Sequence, residues 1–68
     1  MPSYYANTNP QANGDHEVHT DSCRYLPSPQ NRDPLGYHLT CQLAVAEARR
    51  RYRRADGCYW CCTACHKR

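Results

Sequence analysis

The chain of 68 residues contains no phenylalanine. It has no isoleucine either, and its large aliphatics are Val18, Leu26, Leu35, Leu39, Leu43 and Val45. A core assembled from so few apolar side chains cannot offset an ordering cost of about 1–2 kcal/mol per residue. Six tyrosines and one tryptophan add apolar area, but each carries a polar tip that must reach water or a partner. No run approaches the ~20 apolar residues that cross a bilayer, so no membrane association is expected. Met1-Pro2-Ser3-Tyr4-Tyr5-Ala6-Asn7-Thr8 shows neither a basic start nor an apolar stretch and does not read as a secretory signal. On that reading the chain is cytoplasmic and monomeric, in a reducing medium that favours thiolate–metal bonds over disulfides. A secreted three-disulfide miniprotein is the alternative if a leader has been removed.

What the chain does have is cysteine, six in all. Four of them fall within Cys58-Tyr59-Trp60-Cys61-Cys62-Thr63-Ala64-Cys65-His66. A short chain with a small core requires a staple, and these thiols are the candidates. Net charge is +3, carried by the second half. Residues 41–68 hold Arg49, Arg50, Arg51, Arg53, Arg54, Lys67 and Arg68 against Glu47 and Asp56, whereas residues 1–40 hold more acids than bases.

Residues 1–14 are polar, aperiodic and free of any aliphatic side chain larger than alanine, so a disordered tail is expected ahead of a domain over 15–68. Asp15-His16-Glu17-Val18-His19-Thr20 alternates as a strand, with His16 and Val18 on one side and Glu17 and His19 on the other. Asp21-Ser22 then turns into Cys23. His16-Glu17-Val18-His19 is one residue short of the His-Glu-x-x-His motif, which needs its histidines one helical turn apart, so protease chemistry is set aside. After a Pro-rich loop over 27–34, Leu35-Gly36-Tyr37-His38-Leu39 reads as a second strand, antiparallel to the first. Thr40 is a helix N-cap. Cys41, Ala44, Val45, Ala48 and Tyr52 then form one apolar stripe, predicting a helix over about 40–55 that ends at Asp56-Gly57, with Gly57 left-handed. Cys41, on the stripe, is expected to be a buried reduced thiol. The fold class is a small α+β domain, a β-hairpin on one helix stapled by zinc.

Structural zinc takes four ligands, usually as two local pairs. His19-x3-Cys23 is one pair and Cys58-x2-Cys61 the other. Cys62-x2-Cys65 has equally good spacing, and Cys61-x3-Cys65-His66 also stands. Cys41, Cys62, Cys65 and His66 remain alternative or second-site ligands.

The order His-x3-Cys, polar loop, strand, capped Ala-rich helix, Gly, Cys-x2-Cys resembles the small metal-binding module of Ada DNA-repair proteins. It is more similar still to the Ada-like His-x3-Cys…Cys-x2-Cys modules of bacteria. The matching stretches are Val18-His19 to Cys23, Leu39-Thr40 through Ala44 to Ala48, and Tyr52 to Cys61. The resemblance implies Zn2+ held by His19, Cys23, Cys58 and Cys61. The sequence departs from Ada at His19, where Ada has cysteine, and in its extra Cys62, Cys65 and His66, so the methyl transfer of Ada is not carried over.

The functional expectation is a non-catalytic zinc-stabilised binding module with nucleic acid as its partner. Arg49, Arg50, Arg53 and Arg54 would meet phosphate, with Tyr52, Tyr59 and Trp60 near enough to stack on bases. Two other readings compete: a protein–protein adaptor or stand-alone structural module whose arginines are merely a solvated helix face, and thiolate chemistry at the spare cysteines.

Overall fold

The computed structural model describes residues 2–67. Its strands are β1 (Ser3–Asn7), β2 (His16–Thr20), β3 (Arg32–Tyr37) and β4 (Ala55–Gly57), with a helix α1 (Cys41–Arg51) between the last two. The sheet order is β3-β1-β2-β4. β1 runs antiparallel to both neighbours, and β4 lies parallel to β2. A parallel pair needs a long crossover, and here the connection supplies β3 and α1. No helix is long and apolar enough to cross a membrane among the described residues.

The α+β class holds, but the expected tail does not: Ser3–Asn7 is a central strand. The reason lies in its alternation. Tyr4 and Ala6 are buried, 5% and 0% exposed, and Ala6 pairs with Val18 on the face that meets the helix residues Ala44, Val45 and Ala48. Without β1, the expected hairpin of residues 15–20 with 35–39 would leave this face short of a strand. β1 separates the two, so that pairing does not form. β3 is an edge strand, where Pro34 costs no ladder hydrogen bond. A bulge between Tyr4 and Tyr5 shifts the register against β3, and Gly36 next to it takes a φ of 89°, a conformation open to glycine. Leu35 is therefore buried while Tyr37 and Leu39 are 70% and 72% exposed, against the expectation of a shared face.

Thr40 caps α1 as expected, its hydroxyl accepting from the Leu43 amide at 3.3 Å. Ala44, Val45 and Ala48 are buried, with Cys41 and Tyr52 packed against the same cluster. The helix stops earlier than predicted, at Arg51, because Tyr52 is claimed by tertiary contacts. Its hydroxyl donates to Asp33 Oδ2 at 3.2 Å, and its ring stacks on His16 at 4.0 Å. Arg51 braces the same corner by donating to Asp33 Oδ1 (3.1 Å) and the Pro34 carbonyl (2.8 Å). The chain then extends into β4.

Gly57 is not left-handed. It is a buried strand residue, and a Cβ there would meet Cys65 Cβ at 2.6 Å and the Cys62 carbonyl oxygen at 2.8 Å. Its hydrogen admits the C-terminal cysteine turn onto the sheet. That turn is bonded to the helix by a Cys41–Cys65 disulfide.

Candidate metal centre

β2 ends at the site. His19 is fully buried on the sheet face opposite the helix, directly across from Tyr5. The turn after β2 brings back Cys23, whose amide donates to the Thr20 carbonyl at 3.2 Å. Beside it, the Cys58 amide donates to the Val18 carbonyl at 2.9 Å, extending the β2–β4 ladder and setting Cys58 next to His19. A tight turn then returns Cys61.

One nitrogen or sulfur atom from each of His19, Cys23, Cys58 and Cys61 lies within 4.8 Å of the other three. Cys23 Sγ and Cys58 Sγ are 3.9 Å apart. A tetrahedral ion with metal–sulfur bonds of about 2.3 Å has sulfur–sulfur edges of about 3.8 Å, so the spacing suits one ion between them. The four residues thus lie close enough to bind a metal ion.

Three backbone amides point at the sulfurs. Tyr25 N–H donates to Cys23 Sγ, Trp60 N–H to Cys58 Sγ and Thr20 N–H to Cys61 Sγ, each at 3.4 Å. Amides so placed stabilise sulfur in its anionic, metal-binding form.

The imidazole supplies a second observation. Neither ring nitrogen of His19 has a hydrogen-bond partner, although the ring is buried. Nε2 comes within 3.2 Å of Glu17 Oε1, but too poorly aligned to bond. A buried polar atom left unpaired costs about 1–3 kcal/mol, and coordination by one nitrogen removes that cost for the ligating atom. Burial lowers the His19 pKa, with Glu17 opposing it, which keeps the ring in its ligating neutral form. Burial raises the thiols of Cys58 and Cys23, so an ion must displace their protons as it binds.

No family model, curated protein or solved structure matches this chain.

The remaining sulfurs are disposed differently from expectation. Cys41 and Cys65 are bonded to each other; neither is a reduced thiol nor a thiolate ligand, and no second site can use them. Their α-carbons are 6.3 Å apart, an ordinary separation for a disulfide. Cys62 is a buried free thiol, 3.7 Å from Cys61 Sγ and pushed up to about 12 by burial with Cys61 beside it. His66 turns its Nδ1 to the Gly57 carbonyl at 3.1 Å, with Asp56 Oδ2 at 3.4 Å. It is a lock on the C-terminal turn.

The arginines expected to meet phosphate are divided. Arg49 donates from Nε to the Ala55 carbonyl at 3.2 Å, and Arg54 from Nε to the buried carboxylate of Asp15, also at 3.2 Å. Both hold the helix-to-β4 connection in place. Arg50 is 81% exposed beside Glu47, and Arg53 is exposed just past the helix end. The predicted stacking residue Tyr52 is half-buried against His16, so Tyr59 and Trp60 are the ones that face out.

Sequence reasoning passed over Asp15 and Asp56. Asp56 is 4% exposed and accepts from the Lys67 amide at 3.0 Å, drawing the last turn onto β4. Its place beside Gly57 looked like a helix terminator, and nothing local marked it as a buried anchor. Tyr25, two residues after Cys23, was also missed; an isolated tyrosine in a polar loop carries no periodic signal.

Proposed function

We propose that this chain is a monomeric, non-catalytic binding module stapled by one zinc ion at His19, Cys23, Cys58 and Cys61, and that its partner is nucleic acid. The convergence of those four residues, with an imidazole left unpaired in the interior, carries the metal part of the reading. The choice of zinc follows from donor chemistry: three cysteine sulfurs and one imidazole gathered within 4.8 Å of one another suit a d10 ion with no redox role. The motif order shared with Ada-like modules supports the same ion.

The nucleic-acid part rests on charge. The net charge is +3, and Arg50 and Arg53 are exposed at the end of the helix. Phosphate is the polyanion that such groups meet by counterion release. A protein adaptor with purely architectural zinc is the competing outcome.

The metal is tested by native mass spectrometry and by chelation followed by circular dichroism. One zinc per chain and loss of fold on chelation are expected; a chain that stays folded with no metal bound sinks the staple. For the partner, affinity for oligonucleotides is measured against salt. A steep fall between about 50 and 200 mM supports the reading, and no binding at low salt sends it to the adaptor.

A further inference from the structure

A chain so poor in large apolar residues still leaves several of its aromatics outside. Trp60 is 64% exposed, Tyr59 55% and Tyr25 49%. Exposed rings in isolation need no explanation, but these are joined. Tyr25 stacks on Trp60 with ring centroids 5.6 Å apart, Trp60 meets Tyr59 edge-on at 4.9 Å, and Tyr59 meets His66 at 5.3 Å. They form one row.

Its carriers are the metal-binding turns themselves. Tyr59 and Trp60 lie between Cys58 and Cys61, and Tyr25 follows Cys23 by two residues. The amides of Tyr25 and Trp60 are also the donors to Cys23 and Cys58 sulfur. An ion at the site therefore fixes the backbone that presents the rings, reducing the entropy lost when a flat ligand settles on them. Cations stand at both ends: the Arg24 guanidinium lies 5.9 Å from the Tyr25 ring centre, and exposed Lys67 follows His66. The nearby acid Asp56 is buried.

We infer that this row is a stacking platform for the unpaired bases of single-stranded nucleic acid, with Arg24 and Lys67 meeting the backbone. The inference rests on the nucleic-acid reading above and deepens it, because π-faces flanked by positive charge suit exposed bases, whereas a duplex keeps its bases stacked on each other. An apolar protein surface would match the rings but not the cations at each end.

The test uses the zinc-loaded full chain. Trp60 is the single tryptophan, so its fluorescence reports on the row directly. Titration with an unstructured oligothymidylate is expected to quench it, with tighter binding than a duplex of equal length. Trp60→Ala and Tyr59→Ala should each weaken single-strand binding by about 5- to 150-fold, measured by anisotropy of a labelled strand, while Trp60→Phe keeps most of it. Zinc stoichiometry by native mass spectrometry shows that each variant still folds around its metal. Binding by the wild-type chain without quenching, wild-type affinity in W60A by anisotropy, or a preference for duplex overturns the platform and leaves the arginine-based reading standing. No binding of either nucleic acid at low salt overturns both and points to a protein partner.

Discussion

His19 concentrates the chemistry of the site because it is both buried and without hydrogen bonds. His19→Ala should reduce zinc affinity by several orders of magnitude, and native mass spectrometry should find the variant largely metal-free. Cys61 and Cys62 make a sharper pair, being adjacent with sulfurs 3.7 Å apart. Cys61→Ser is expected to weaken zinc binding strongly. Cys62→Ser should keep one zinc per chain and lose only packing stability; the reverse result would move the ligand set one residue along. Burial holds His19 below its ordinary 6.5 and the Cys23 and Cys58 thiols above 9.0. Zinc affinity should fall as pH drops, because protons return to the thiols, and a competitive chelator titration across pH measures it.

At the scale of the element, β1 and the C-terminal turn decide most. β1 lies between β2 and β3, so deletion of residues 1–7 should abolish the fold, visible as collapse of amide chemical-shift dispersion. A dispersed spectrum from the truncated chain would restore the disordered tail. Gly57→Ala places a methyl 2.6 Å from Cys65 Cβ and 2.8 Å from a backbone oxygen. Neither neighbour can yield easily, so a loss of at least about 1–3 kcal/mol is expected by denaturant titration. Thr40→Ala removes the helix cap and should cost about 1 kcal/mol. Thr40 and the stripe from Cys41 to Tyr52 were legible because capping and 3.6-residue periodicity are local rules. β1 was not, since two tyrosines and an alanine among polar residues gain their meaning only from the strands on either side.

Taken whole, the molecule has two places for a fastener. The candidate metal centre brings β2 and its following turn together with the turn after β4, and the Cys41–Cys65 disulfide ties the start of α1 to the last turn. A disulfide closing a loop of this size contributes about 3 kcal/mol, against about 10–16 kcal/mol of apparent binding energy for a structural zinc. Chelation should therefore unfold the chain, whereas mild reduction with zinc retained should lower the melting temperature and leave the fold intact. Denatured in chelator without reductant, the protein should show four alkylatable thiols by mass spectrometry, as the cysteine pairing requires.

The need for a staple, the capped helix, the His19-x3-Cys23 pair and the competing pairs Cys58-x2-Cys61 and Cys62-x2-Cys65 were determined by the sequence itself, because composition and short spacings act within a few residues of chain. Which sulfurs meet which was decided only by tertiary structure. Cys58, Cys61, Cys62 and Cys65 are nearly equivalent by spacing. The parallel pairing of β4 with β2 turns Cys58 and Cys61 toward His19, while the approach permitted by Gly57 carries Cys65 to the helix and Cys41. The same long-range pairing drew residues 3–7 out of an expected tail and into the sheet. Contacts between residues far apart in the chain leave no local periodicity, and those contacts distinguish the metal-ready thiols from the bonded pair and the buried one.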